Sequence, residues 1–284
     1  MFKIFISEKN NFKLICKIIA TLDGNSFFKE FYYLEKLSST QDYACKIKKM
    51  KKKIYPSVVI CNTQSRGRGR KGNYWSSNHG GIWMSIMFET DLKIENLFIF
   101  VMICAVCICE TIETETYLRA QLKWPNDIFI RGKKNAGFIV DVEPLDDKYC
   151  IIIGIGINTN NDLRTTINDI HNKDSLQYDI TTLKEELNDV QVSNDKLISR
   201  LLNNLNVFFL DIVSSSIDYN NIFELYKKRI MESKNHLNYA FRNSEDKEFE
   251  GEIIDLSFNG SLLVKDLQQN RTIHISSSYS ANLK

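Results

Sequence analysis

Two short clusters hold the residues of this chain that could do chemistry. Residues 64–75 read Gln-Ser-Arg-Gly-Arg-Gly-Arg-Lys-Gly-Asn-Tyr-Trp, so four cationic side chains and three glycines precede an aromatic pair. Glycine lets the backbone approach a ligand closely, and guanidinium forks match paired phosphate or carboxylate oxygens. Alone, such a loop has three readings: a solvated basic turn, an Arg-Gly segment for nucleic acid, or a clamp on a small phosphate-bearing ligand. The second cluster is Lys123-Trp124-Pro125-Asn126-Asp127. Proline fixes φ and steers Trp124 away from helix, so a lysine, an amide and a carboxylate gather in one turn. They suit a triphosphate and its magnesium, because oxygen ligands and a cation share the charge. A turn held by local hydrogen bonds is the alternative.

The surrounding pattern shows what must hold these clusters in place. Residues 31–37 are aromatic and apolar and stop at Ser38-Ser39-Thr40-Gln41-Asp42, which predicts a strand feeding an N-capped helix. Residues 46–53 form a basic, solvated stretch. Buried strands at 57–61 and 82–88 flank the glycine-rich loop. Fixed ends favour a ligand clamp over a free tail. Residues 93–118 are helical in pattern, apolar first and acidic later, and lead to the second cluster. A basic hairpin turn, Arg131-Gly132-Lys133-Lys134, then feeds Ala136-Gly137, whose small side chains let a ligand lie against the backbone. In the sheet-core run 150–158, Gly154 and Gly156 leave one face bare for a flat ligand. No third glycine opens a helix behind them, so the dinucleotide fingerprint fails. Residues 160–188, rich in Asn, Asp and Thr, read as a variable loop and helix start without chemistry. Residues 194–231 have helical periodicity, and short alternating segments follow to 265 around turns such as Phe258-Asn259-Gly260.

Composition narrows the field. A chain of 284 residues with 43% hydrophobic content can bury one large core and a smaller one. Its 37 basic residues face 35 acidic ones for a net charge of +2, so no global polycation grips a nucleic-acid backbone. Seven cysteines show no framework spacing. Cys104 and Cys107 sit in an apolar run, which points to burial and to a reducing compartment. The longest apolar run, 97–109, falls short of the roughly 20 residues that cross a bilayer. Glu8 and the strand-like pattern at 2–6 argue against a targeting peptide in the first twenty residues.

In order and spacing, five motifs resemble biotin protein ligases from about residue 31 onward. They are residues 63–72 with Trp75, residues 80–85, Lys123 to Asp127, Lys134 through Gly137, and residues 154–158. The resemblance implies an α+β fold, with a central mixed sheet flanked by helices as in class II aminoacyl-tRNA synthetases, and a small C-terminal β-barrel. The implied divisions are an N-terminal extension at 1–30, a catalytic domain at 31–233 and the small domain at 234–284. The implied activity is a two-step reaction with ATP, Mg2+ and biotin. Biotin is activated as biotinyl-5′-adenylate and passed to a lysine on the biotin-carrier domain of a carboxylase, acetyl-CoA carboxylase being expected.

By the same resemblance, Arg70 and Lys134 are the catalytic residues. Ser39, Thr40, Gln41, Gln64, Arg68, Gly69, Arg70, Lys134 and Gly137 hold biotin. Lys71, Trp75, Lys123, Asn126 and Asn158 hold the nucleotide, and Asp127 is a candidate for magnesium. Gln41 is a longer amide than the family's usual Asn, and Asn73 stands where relatives often have Arg, which weakens the expected closure of the loop. Residues 1–30 are too short for a winged-helix domain, so neither operator nor membrane is an expected partner. The expected state is a cytoplasmic monomer or weak homodimer, with an organellar location if the N-terminal residues act as a targeting segment. The alternatives are a lipoate or octanoate ligase on the same fold and an Arg-Gly nucleic-acid module.

Overall fold

A computed structural model describes residues 2–6, 12–22, 25–51, 53–169, 179–234, 241–242 and 248–276. Its backbone runs β1 (Lys3–Ile6), α1 (Phe12–Ala20), β2 (Glu30–Leu37), α2 (Thr40–Met50), β3 (Ser57–Gln64), β4 (Ile82–Thr90), α3 (Ile99–Thr116), β5 (Gln121–Lys123), β6 (Asp127–Ile130), β7 (Lys133–Leu145) and β8 (Lys148–Ile157). The helices α4 (Leu163–Asp169), α5 (Leu183–Glu186), α6 (Asn194–Val213) and α7 (Tyr219–Ser233) follow. The small strands β9 (Phe241–Arg242), β10 (Glu248–Phe249), β11 (Gly251–Leu256), β12 (Leu262–Asp266) and β13 (Arg271–Ile275) come last.

Eight strands form one mixed sheet in the order β1-β2-β3-β4-β8-β7-β6-β5. β1, β2 and β3 run parallel, and the remaining pairings are antiparallel. Alternation along β2 sorts its side chains between two layers: Phe31 and Tyr33 enter the large core with α3 and α6, while Tyr32 packs with Ala44 and Ile47 of α2. The expected mixed sheet with flanking helices is therefore the architecture found.

The first thirty residues do more than precede this sheet. β1 adds to its edge in register with β2, from Lys3 opposite Glu30 to Ile6 opposite Tyr33, and α1 buries Ile15 and Ile18. The basic stretch 46–53, which begins in the last turns of α2, is less solvated than its composition suggests. Lys48 pairs with Glu143 at 2.7 Å, and Lys51 bonds the buried carboxylate of Glu30 and the Tyr32 hydroxyl.

α3 corrects the argument from run length. Within Ile94–Thr116 an 18-residue window has a mean hydropathy of 2.1, apolar and long enough to cross a membrane, but 78% of that window is buried inside the fold. It is apolar on every side because the sheet covers one flank while α6 and α7 cover another. Its cysteines Cys104, Cys107 and Cys109 are core residues, and burial pushes all three thiols up.

Beyond α7, β11, β12 and β13 form an antiparallel sheet, and β9 and β10 form a separate ladder. Among the described residues these make two small antiparallel sheets where a small C-terminal β-barrel was expected. The β11–β12 turn lies against the second cluster: the Trp124 indole N–H donates to the Gly260 carbonyl at 2.9 Å. Gly260 has φ +84°, and a Cβ there would stand 2.2 Å from the Phe98 ring. No other residue type fits that close approach without movement.

Candidate active site

The glycine-rich loop folds into a small hairpin. Isolated bridges pair Gln64 with Ser77 and Arg68 with Tyr74, and the Trp75 N–H donates to the Gly67 carbonyl at 2.9 Å. A Cβ on Gly67 would lie 2.2 Å from the Trp75 carbonyl oxygen, so this glycine is required by contact. At the tip, residues Arg70–Gly72 make a tight turn with Lys71 exposed at φ 54°. Asn73, where a cation was expected, closes that turn: its N–H donates to the Arg70 carbonyl, and its own carbonyl accepts from Gly69 at 2.7 Å.

At the hairpin base, hydrogen bonds from α2 and β3 knit the polar residues together. Ser39 caps α2, its hydroxyl accepting from the Asp42 N–H. The Gln64 Oε1 accepts from the Thr40 N–H at 2.7 Å, and its Nε2 donates to Ser77 at 2.7 Å. The Ser85 hydroxyl lies 2.8 Å from Thr40 Oγ1 and 3.0 Å from Gln41 Oε1. Gln41 Nε2 donates to the Ile152 carbonyl at 2.8 Å and to Asp141 at 3.1 Å.

Sheet register places the remaining groups in one row. Lys123 stands opposite Asp127, Asp127 opposite Gly137, and Gly137 opposite Gly156. Directly paired residues share a face, so one lysine, one carboxylate and two bare positions line up across four strands. Lys134 joins them, its Nζ 2.7 Å from Asp127 Oδ2. Lys123 is 5% exposed; burial pushes its ammonium from the usual 10.5 down to about 8, with Asp127 opposing and Lys134 adding to the shift. Asn126 is equally buried, donates to the Phe138 carbonyl at 2.6 Å and accepts from Arg70 Nη1 at 2.9 Å. That last bond ties the hairpin tip to the sheet.

The bare glycine face is covered by the protein itself. A Cβ on Gly156 would lie 2.6 Å from Trp75 Nε1, and one on Gly137 would lie 3.2 Å from the same ring. Gln41 fills the space over Gly154, where a Cβ would come within 2.7 Å of its Oε1. The Trp75 Nε1 is buried without a hydrogen-bond partner, and Lys134 Nζ sits 5.3 Å from the ring centroid.

The structure thus brings Arg70, Trp75, Lys123, Asn126, Asp127, Lys134 and Gly137 together. Several other expected contacts are engaged within the protein. Ser39 is 1% exposed as a helix cap, Gln41 is 2% exposed with its amide bonded, and Gln64 links Thr40 to Ser77. Arg68 is held by Asp42 at 3.0 Å and Asp141 at 3.2 Å. The Asn158 side chain accepts from Asn161 at 3.2 Å. These five frame the site from behind or from its rim; an amide or guanidinium already bonded has less capacity for a ligand. Sequence reasoning missed Asp42, Ser85 and Asp141, although an acid inside the apolar run 136–142 was a visible signal.

For magnesium, Asp127 is the one candidate carboxylate in the row, and it is already paired with Lys134. No cluster of three or more His, Cys, Asp or Glu able to hold a metal occurs among the described residues. That donor set fits a magnesium brought in on phosphates and retaining waters rather than one caged by protein. Separately, a polar cleft of about 520 Å3 lies by the hairpin between Lys36, Thr63, Gln64, Tyr74 and Asn78; of the expected site residues it includes Gln64 alone.

The fold that holds this site is similar to that of biotin protein ligases in solved structures. That of Aquifex aeolicus, in complex with biotin and ATP, superposes with a TM-score of 0.63 at 24% identity, covering 88% of this chain and 97% of the other. The Helicobacter pylori biotin acetyl coenzyme A carboxylase synthetase, with bound biotinylated ATP, gives 0.57 at 19% identity, covering 86% and 98%.

Residues 33–158 match the model of the biotin/lipoate A/B protein ligase family. Among curated relatives, the bifunctional ligase/repressor BirA of Bacillus spizizenii is 37% identical over 106 residues, 37% of this chain and 33% of its own length. The human biotin–protein ligase is 28% identical over 156 residues, 51% of this chain and 20% of its own length. The matched region spans about a third of the first of these relatives and a fifth of the second.

Proposed function

We propose that this chain is an ATP-dependent ligase that activates biotin as biotinyl-5′-adenylate and transfers it to a lysine on a carboxylase biotin-carrier domain, acetyl-CoA carboxylase being the acceptor of choice. The observation that carries this reading is the convergence of Arg70, Lys123, Lys134 and Asp127 on the face where Gly137 and Gly156 lie bare beneath Trp75. The similarity to the human protein named biotin–protein ligase supports it.

In the first step a biotin carboxylate oxygen forms a bond to the α-phosphorus of ATP, the Pα–O bond to the β-phosphate breaks, and pyrophosphate leaves. Negative charge accumulates on the α-phosphate oxygens, which the Arg70 fork and the Lys134 ammonium stabilise from two sides. Lys123 and Asn126 hold the phosphates, and Asp127 keeps Lys134 extended. Magnesium, when bound with ATP, offsets triphosphate charge, with Asp127 as its protein partner. In the second step the acceptor amine attacks the acyl carbon, AMP departs, and the amine proton passes to solvent. No covalent enzyme intermediate is needed, so the buried cysteines have no chemical role. Trp75 shields the mixed anhydride from water by lying over the glycine row. The enzyme acts in the cytoplasm as a monomer or weak dimer.

The deciding experiment incubates the purified chain with MgATP, biotin and a biotin-carrier domain. Pyrophosphate release and a streptavidin-reactive carrier are expected. Turnover with lipoate or octanoate and none with biotin would reassign the substrate.

A further inference from the structure

We propose that Asn135 is a positioning residue for Lys134, acting through the return segment 179–181; the proposal rests on the ligase reading above for what Lys134 does. Along most of its length β7 runs beside β8, but that pairing begins only at Ala136, opposite Ile157. Lys134 lies beyond it. The vacated position beside Lys134 is taken by residues 179–181, running parallel: the Lys134 N–H donates to the Asp179 carbonyl at 2.7 Å, and the Thr181 N–H donates to the Lys134 carbonyl at 2.9 Å. Both backbone polar groups of the reactive lysine are therefore fixed by a segment 45 or more positions downstream.

Asn135 joins the two parts. The β6–β7 register passes from Ile128↔Ala136 to Phe129↔Lys134, which leaves Asn135 as the extra residue of a bulge, 0% exposed. Its Nδ2 donates to the Asn158 carbonyl at 2.8 Å and reaches the Thr181 carbonyl at 3.4 Å. Its Oδ1 is buried without a partner. An orphaned buried oxygen is destabilising, so an amide is a poor filler for this space. What it supplies is two donors that bind the end of β8 to the return segment.

The segment is anchored at its other side as well. Thr181 Oγ1 donates to Glu186 Oε1 at 2.7 Å, Glu186 pairs with Arg131 at 3.1 Å, and the Leu183 N–H donates to the Asn158 carbonyl at 3.0 Å. Arg131 belongs to the turn just before Lys134, so the segment grips the lysine from the chain before it and from the strand beside it. The segment 160–188, expected to carry no chemistry, would on this proposal serve the lysine through the backbone bonds of residues 179–181. A four-carbon side chain magnifies any rotation of its backbone, and small displacements of a charge-stabilising group are costly to rate.

Two measurements on the full chain test this. In hydrogen exchange, peptides containing the Lys134 and Thr181 amides should be protected in the wild type and exchange at least about tenfold faster in Asn135→Ala, while the α3 core stays protected. In single-turnover adenylation, Asn135→Ala should lower the rate about tenfold in the wild-type background and less than about twofold in a Lys134→Ala background, because the lost effect runs through the lysine. Thr181→Val, which removes the hydroxyl and keeps the shape, should follow the same pattern more weakly. Unchanged exchange at Lys134 and Thr181, or losses that multiply fully in the double variant, would overturn the proposal. If the wild type forms no adenylate at all, the ligase reading fails, and the exchange experiment still decides whether Asn135 clamps the Lys134 backbone.

Discussion

The hairpin at 64–77 and the row across β5 to β8 both present cations to one space, but they hold them differently. Lys71 is at the surface, the hairpin tip meets the sheet through a bond from Arg70 to Asn126, and Arg68, 41% exposed, is held by surface ion pairs. Such pairs contribute little individually, about 0–1 kcal/mol. Lys123 and Lys134 instead stand on paired strands, and Lys123 is nearly buried. The sheet therefore fixes its charges before any ligand arrives and carries the desolvation cost in the folded protein. The hairpin delivers its charges by closing, through few contacts that can reopen. Substitutions on the sheet should alter binding, rate and stability together, whereas substitutions on the hairpin should alter rate with the fold unchanged.

The largest effect is expected at Lys134. Lys134→Ala should weaken biotin capture and adenylation together, lowering kcat/KM by about 10³-fold, since one group serves both ground and transition states. Calorimetry showing unchanged biotin affinity would remove the direct contact from the assignment. Next comes Arg70→Ala, which should cut pyrophosphate release by about 10²-fold, the scale for losing one charge-stabilising donor. Its melting temperature should stay close to the wild type, because the half-exposed hairpin tip that carries it lies outside the hydrophobic core. Near-normal turnover would leave the hairpin as a solvated turn. A smaller effect, about tenfold, is expected for Gly156→Ala, where the added methyl must displace the indole that approaches to 2.6 Å. Tryptophan emission should shift in the free protein, and an unshifted spectrum with normal rate would show that Trp75 does not depend on that bare face.

Much of this arrangement was legible because local rules agree with the fold. The hairpin was visible as glycines and arginines between two apolar strands, and the turn at 123–127 as a proline between strand-like flanks. Fold class followed from the resemblance to biotin protein ligases, with which the run of apolar strands and the one long apolar helix agree. What stayed hidden depends on register and on distant partners. That Lys123, Asp127, Gly137 and Gly156 form one row is fixed by pairing across four strands, and a bulge at Asn135 shifts that register by one residue. The ends of Gln41 and Arg68 looked available because their types bind ligands; Asp141, 100 positions from Gln41, already accepts from the amide and pairs with the guanidinium. Composition is equally silent on distant bonds: Asn and Thr are common in loops, yet here the Asn135 amide donates to the Asn158 and Thr181 carbonyls inside the protein.

The finest test of sheet against hairpin uses proton binding at Lys123. Its folded value is about 8 and its usual value 10.5, so between those pH values the unfolded chain holds the extra proton. Stability should then rise with pH from about 8 to 10.5, as the penalty of holding a charge in a buried place disappears, and below pH 8 that penalty is present in full. Lys123→Met removes it, so this variant should melt higher than the wild type at pH 7 and lose the rise above pH 8. In the wild type, arriving phosphates favour the charged form, so nucleotide binding near pH 8.5 should take up a fraction of a proton, read by calorimetry in buffers of different ionisation enthalpy. The KM for ATP should climb a few-fold from pH 7.5 to 9 as the free enzyme loses that charge. Arg70→Ala leaves Lys123 in place and should keep the proton uptake, while Lys123→Met abolishes it. Equal uptake in both variants would mean that the titrating group is not Lys123, and the contrast between preset and delivered charge would lose its clearest support.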